Sequence, residues 1–243
     1  MIYSGAIEHD LPPRAALLLD LDGTLLDLAA TPDAVRVPPG LPGVLRGLRA
    51  ALGDAMAIVT GRPIEAIDAL LPGIAFAVAG EHGGVIRFTP GGPEERAPLP
   101  PLPAHWAEAA AALVAAHPGT LFEPKARGFT LHYRAAPQAA AALAEGLAAI
   151  LGAQDTHLLL PAHMAFEVKP RGADKGTALA ALMARAPFRG RVPVYVGDDV
   201  TDEDAILAAE AAGGVGLRVA EAFGDAAGVR AWLARLAHGA RAA

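Results

Sequence analysis

The chain has 243 residues, 53% of them hydrophobic and only 5% aromatic, and carries a net charge of −6. That length holds one large domain or two small ones, and the acidic balance argues against nucleic acid as a partner, which calls for a basic patch. The absence of cysteine rules out disulfides and thiolate metal sites, so a metal would need oxygen or imidazole donors and would be magnesium, calcium or manganese ahead of zinc.

The first predicted element, Ala15-Ala16-Leu17-Leu18-Leu19, is wholly apolar and stops abruptly at the carboxylates of Asp20-Leu21-Asp22. Short apolar runs of this kind are strands buried on both faces of a parallel sheet. After a helical pattern over 41–52, a second run at 55–59 ends at Thr60-Gly61-Arg62-Pro63. A helix over 64–71 leads to a third run at 74–79, ending at Gly80-Glu81-His82-Gly83. Prolines and glycines then dominate 90–103, which predicts a linker or long loop. An alanine-rich helix is expected over 104–116.

The next segments have a different period. Phe129, Leu131 and Tyr133 alternate with Thr130, His132 and Arg134, and Phe166-Glu167-Val168-Lys169 alternates too, with a helix predicted over 137–151 between them. Alternation predicts a sheet with one face packed and one face polar. The buried-strand pattern returns at 192–196 and ends at Gly197-Asp198-Asp199, after a helix over 178–185 opened by Gly176 and Thr177. Strands alternating with helices predict a doubly wound, Rossmann-like α/β core, built from 1–86 and 170–243, with a smaller α/β module inserted at 87–169. No signal peptide and no membrane span is predicted, because no run reaches roughly 18 apolar residues free of charge or proline. A cytoplasmic monomer is the expectation.

In open α/β sheets, ligands bind beyond the carboxyl ends of the strands. That rule would gather Asp20, Asp22, Thr60 and Asp198 from distant positions. Asp20 and Asp198 offer hard oxygen ligands for Mg2+. The Thr60 hydroxyl can donate to a phosphoryl oxygen, and Lys175 can place a positive charge there. Asp22 could protonate a leaving alkoxide and later deprotonate water. Each piece has a plainer reading as well. Asp-x-Asp-Gly is a common turn, Thr60 could cap a helix, and the acids from Asp198 to Glu203 could favour a helix N-terminus. All four together, each after a buried strand or at a helix start, are far more specific than any one.

These motifs resemble those of the haloacid-dehalogenase-like (HAD) phosphatases. Asp20 to Thr24 is similar to their first motif, Thr60 to the second, Lys175 to the third, and Gly197-Asp198-Asp199 to the fourth. The resemblance implies that Asp20 attacks phosphorus to form an aspartyl-phosphate and that Asp22 serves as acid and then base. It also implies magnesium on Asp20, Asp198 and the main-chain carbonyl of Asp22, with Asp199 and Asp202 supporting the site through water or by orienting Lys175.

The finer pattern resembles the trehalose-6-phosphate phosphatase family, carried above all by Glu167-Val168-Lys169-Pro170-Arg171-Gly172 and by 197–203. On this resemblance the inserted module is a cap that closes over a sugar phosphate, with Glu123, Lys125 and Glu167 on the disaccharide. The substrate-binding candidates also include Gly61, Arg62, His82, His132, Arg134, Lys169 and Arg171. Arg62 has an alternative as a loop brace, His132 as a solvated side chain, and Arg171 as a hinge residue. Two other functions compete: the same chemistry on another sugar phosphate, such as a sucrose or mannosylglycerate phosphate, and a non-enzymatic receiver-like phospho-acceptor. Receivers, however, carry their acidic pair and acceptor on different strands and lack an inserted cap.

Overall fold

Along Ala15–Leu19, Ala15, Leu17 and Leu19 point into one apolar core while Ala16 and Leu18 point into another, and all five are buried. A strand without a polar side needs cover on both faces, which is what flanking helix layers provide. The computed structural model describes residues 10–29 and 34–242. These divide into two compact units, one running to Ala97 and resuming at Asp174, the other Pro98–Ala173.

Eleven strands are found among the described residues. In chain order they are β1 (Ala15–Leu19), β2 (Met56–Val59), β3 (Ala77–Gly80), β4 (Val85–Arg87), β5 (Glu94–Arg96), β6 (Leu121–Pro124), β7 (Phe129–His132), β8 (His157–Ala162), β9 (Ala165–Pro170), β10 (Val192–Gly197) and β11 (Val215–Arg218). The helices are α1 (Leu41–Ala51), α2 (Ile64–Leu70), α3 (Ala104–Ala115), α4 (Ala140–Leu151), α5 (Lys175–Met183), α6 (Glu203–Ala211), α7 (Val219–Ala222) and α8 (Ala226–Ala242).

In the first unit a seven-stranded sheet runs β11-β10-β1-β2-β3-β4-β5. The five strands from β11 to β3 are parallel, and β4 and β5 add an antiparallel edge. Leu41, Leu45 and Leu48 of α1, spaced along one helical stripe, join Ile64 and Ile67 of α2 and Val229, Trp232 and Leu233 of α8 on one face. Leu179 and Leu182 of α5 and Ile206 of α6 cover the other. The predicted doubly wound core is therefore present. From β1 the chain winds one way to β2 and β3, and the other way to β10 and β11. That reversal lies between β1 and β10, the crevice where α/β sheets bind ligands.

The second unit is a four-stranded antiparallel sheet, β6-β7-β9-β8. Phe129, Leu131 and Val168 pack with Leu143 and Leu147 of α4 and Trp106 of α3. The alternate residues carry polarity: Glu123 pairs with Thr130, and Thr130 with Glu167, in one row across three strands.

Three expectations need correction. The supposed linker at 90–103 contains β5, so the first unit extends through Ala97 rather than 86. The third core strand starts at Ala77, not at 74. Helix α5 starts at Lys175, not at 178, because Asp174 caps it by accepting from the main-chain N–H of Thr177 at 2.7 Å. The chain after 218 forms α7 and α8. Arg230 of α8 donates to the carbonyl of Leu25 at 3.1 Å and pairs with Asp27, so the last helix holds the loop that follows β1.

His157 is a buried imidazole of the second unit, edge-on to Trp106 with ring centroids 5.2 Å apart. Its Nε2 lies 3.2 Å from the Arg127 carbonyl and its Nδ1 3.0 Å from the Thr156 hydroxyl. A neutral ring protonated on Nε2 donates to the Arg127 carbonyl. Burial lowers its pKa, only partly offset by the Arg127 carbonyl. With the folded value below the unfolded one of about 6.5, its contribution to stability is complete above that pH and is lost as pH falls through the folded value. In melts taken from pH 7.5 down to pH 5, the wild type should therefore lose stability faster than a His157→Phe variant. Parallel curves would contradict this.

Candidate active site

Register builds the site. Leu19 of β1 lies beside Val196 of β10 and Ile58 of β2, so the residues that follow each strand emerge together. They include Asp20, Thr60 and Asp198. The Asp20 main-chain N–H donates to the Val196 carbonyl at 2.9 Å, which carries the pairing one residue past the strand.

Lys175, the first residue of α5, reaches into this group. Its buried ammonium donates to Asp20 Oδ1 at 2.7 Å and to Asp202 Oδ1 at 2.6 Å. Burial opposes a charge on Lys175, but Asp20 and Asp202 outweigh it and hold the pKa above the ordinary lysine range. Burial, and then the charge of Asp202, push Asp20 upward, with Lys175 pulling it back. Asp198 is pushed up to about 6, first by partial desolvation and then by Asp202 and Asp199.

Asp202 is fully buried. Besides Lys175, its Oδ1 accepts from the Tyr195 hydroxyl at 2.5 Å, and its Oδ2 accepts from the main-chain N–H groups of Asp198 at 3.2 Å and Asp199 at 3.0 Å. Asp199 and Asp202 form a capping box on the turn before α6, and the Asp199 carboxylate accepts from the Val200 N–H. Asp202 thus holds the Lys175 ammonium, while the Asp199 carboxylate is engaged by this turn. The plain reading of these acids as a helix entry is seen in this turn.

Asp22 meets Arg62 in a two-pronged pair, at 2.6 and 2.8 Å. Thr60 is buried, and its hydroxyl oxygen accepts from the Arg62 main-chain N–H at 3.1 Å. Its own hydrogen is thereby left to donate elsewhere. His82 is buried beside Gly61, where an added Cβ would fall 2.6 Å from His82 Nε2, so only glycine fits.

Carboxylate oxygens of Asp20, Asp198 and Asp202 all lie within 4.8 Å of one another. A carboxylate has about four acceptor positions, and Asp202 already uses four. The oxygens open to a cation are therefore those of Asp20 and Asp198. An all-oxygen pair of this kind fits magnesium. Thr24 sits 3.5 Å from Asp198 Oδ1. Gly23, at φ +82°, leaves so little room that a Cβ would fall 2.0 Å from Asp198 Oδ2. A Gly23→Ala variant should accordingly displace Asp198 and lower kcat/KM roughly a hundredfold, as a misplacement of about 1 Å does. Wild-type turnover would show that the crowding is relieved elsewhere.

Within the second unit, Glu123 Oε2 lies 2.6 Å from His132 Nε2, and Lys125 pairs with Glu167. Strand β6 ends at Pro124, so Lys125 lies past the strand rather than continuing it. Glu167 and Lys169 are buried, Arg134 is half-buried, and Arg171 is exposed in the turn after β9. Tyr195 and Arg230 were missed from sequence. Tyr195 did leave a signal, since a phenol in a buried strand needs a partner for its hydroxyl.

The family model described as trehalose-phosphatase matches residues 18–222. A probable trehalose-phosphate phosphatase of Sinorhizobium fredii is 39% identical over 218 residues, covering 89% of this chain and 82% of that protein. A trehalose-6-phosphate phosphatase of Escherichia coli is 36% identical over 214 residues, covering 86% and 79%. Among solved structures, the C-terminal domain of the Candida albicans trehalose-6-phosphate phosphatase superimposes with a TM-score of 0.75 at 19% identity, covering 93% of this chain and 92% of that one.

Proposed function

Because the chain belongs to the trehalose-phosphatase family, with a HAD-like fold, and is thereby a phosphoric monoester hydrolase, we propose that it hydrolyses trehalose 6-phosphate to trehalose and inorganic phosphate. The observation that carries this reading is the convergence of Asp20, Thr60, Lys175 and Asp198 beyond the strand ends, with Asp22 two residues past the nucleophile. The family membership removes the receiver-like alternative.

A carboxylate oxygen of Asp20 attacks phosphorus, and the bond from phosphorus to the sugar oxygen breaks as the aspartyl–phosphorus bond forms. Asp22 delivers a proton to the departing oxygen. It then takes a proton from water as the water oxygen bonds to phosphorus and the aspartyl–phosphorus bond breaks, which releases phosphate and restores Asp20. Lys175 and the Thr60 hydroxyl hold phosphoryl oxygens through both halves. Both oxygens of Asp22 accept from Arg62, so proton delivery requires that pair to open. An arriving phosphate, itself an anion, would draw the guanidinium away. Magnesium on Asp20 and Asp198, with the Asp22 carbonyl that the family resemblance adds, would supply charge that offsets repulsion between carboxylate and phosphate.

The polar residues of the second unit are proposed to serve the sugar. Glu123, Lys125, His132, Glu167 and Lys169 supply the acceptors and donors that hydroxyl groups need. The setting proposed is the cytoplasm; no helix among the described residues is long and apolar enough to cross a membrane.

Phosphate release with magnesium tests the reading. Trehalose 6-phosphate should be the preferred substrate beside glucose, sucrose and mannosylglycerate phosphates. Preference for one of the others would move the assignment to that sugar, and no release from any would overturn it.

A further inference from the structure

We infer that Tyr195 is a positioning residue for the phosphate-binding Lys175, acting through Asp202. This rests on the reading of Lys175 as the cation that meets the phosphoryl group.

Asp202 has no exposed surface, and each of its oxygens accepts from two donors. Two of those donors are main-chain N–H groups at the start of the turn after β10. They fix Oδ2 to the backbone. Tyr195 and Lys175 share Oδ1, so the phenol decides where that oxygen rests and with it where the ammonium sits. The ring of Tyr195 is itself buried in the core made with Leu179, Leu182 and Ile206. Its hydroxyl thus comes from a rigid platform, inside the strand that ends at Asp198. Gly197 leaves the room that Asp202 occupies, because a Cβ there would fall 2.3 Å from Asp202 Cγ. Together these form one buried chain of hydrogen bonds, Tyr195 to Asp202 to Lys175 to Asp20, with distances of 2.5, 2.6 and 2.7 Å.

A buried lysine has many rotamers and strong reason to follow whichever carboxylate is nearest. Without the phenol, Asp202 Oδ1 has a vacant acceptor position, and the ammonium can settle more fully on Asp202, away from the phosphoryl group. Tyr195 therefore influences phosphate binding without touching substrate.

The test measures inhibition by inorganic phosphate, in the presence of magnesium, for wild type, Tyr195→Phe, Lys175→Met and the double variant. Tyr195→Phe should weaken phosphate about tenfold in the wild-type background, the size of a lost hydrogen bond to a charged group. It should have no effect when Lys175 is already methionine. An equal effect in both backgrounds, or a lower melting temperature with unchanged phosphate affinity, would overturn the inference. If Lys175→Met itself leaves phosphate affinity unchanged, the reading of Lys175 fails instead. The unsubstituted protein gives a second measurement should Tyr195→Phe not fold. With tyrosine labelled at Cζ, NMR should show a slowly exchanging hydroxyl proton on one of the three tyrosines, and absence of such a proton would also overturn the inference.

Discussion

An Asp20→Asn variant should lose phosphate release by about 10⁴-fold or more, the scale seen when a nucleophile is removed, while its melting temperature holds at or above that of the wild type. The two halves have separate causes. Asparagine matches aspartate in size but cannot form the acyl phosphate. The fold, in contrast, gains from the change. Burial and the neighbouring charge of Asp202 already disfavour an ionised Asp20, and Lys175 keeps Asp202 as its partner. Release of phosphate from trehalose 6-phosphate and a thermal melt on the same preparation decide the matter. Retained turnover would remove Asp20 from the nucleophile's role, and a collapsed fold would make its role structural.

At the other end of the same ion pair, Lys175→Met should be costly on both counts. Methionine fills the space, yet Asp20 and Asp202 are left in a buried site without their cation. Breaking a buried pair by removing one partner costs roughly 3–5 kcal/mol, or about 10 °C at the 2–4 °C per kcal/mol usual for this chain length. Activity should fall by about 10³-fold, as when a donor aimed at developing charge is lost. The contrast is the informative result. One carboxylate can be neutralised without harm because the cluster holds more negative groups than positive ones. The single ammonium that two carboxylates share cannot. Equal melting temperatures for the two variants would contradict this account of the charge balance.

The strands that carry the chemistry were legible because they are buried on both faces. Apolar residues fill 15–19 and 56–59, and 192–196 but for the Tyr195 hydroxyl, and the abrupt change to Asp20, Thr60 and Asp198 marks where each strand leaves the core. Edge strands lack that constraint. Glu94–Arg96 is exposed and charged throughout, so neither apolar run nor alternation distinguishes it from the surrounding loop. His157–Ala162 carries a proline at 161 and lies at the edge of its sheet, where a missing N–H is tolerated; its pattern matched neither template. Helix α8 offered no chemical motif, although Trp232 and Leu233 fill the core and Arg230 grips the loop after β1.

By itself, the amino-acid sequence determined the fold class, the buried strands, the chemical type of each group at their ends and the family. These follow from short-range rules, since burial dictates apolarity and strand ends dictate where polar groups can begin. Tertiary structure alone decided the pairings. Lys175 meets Asp20 across 155 positions and Arg62 meets Asp22 across 40. Asp202 joins Tyr195 to Lys175 because the turn after β10 and the start of α5 are brought side by side. No local pattern specifies such partners, because a carboxylate looks the same in sequence whether it will face water, a guanidinium, a phenol or a metal.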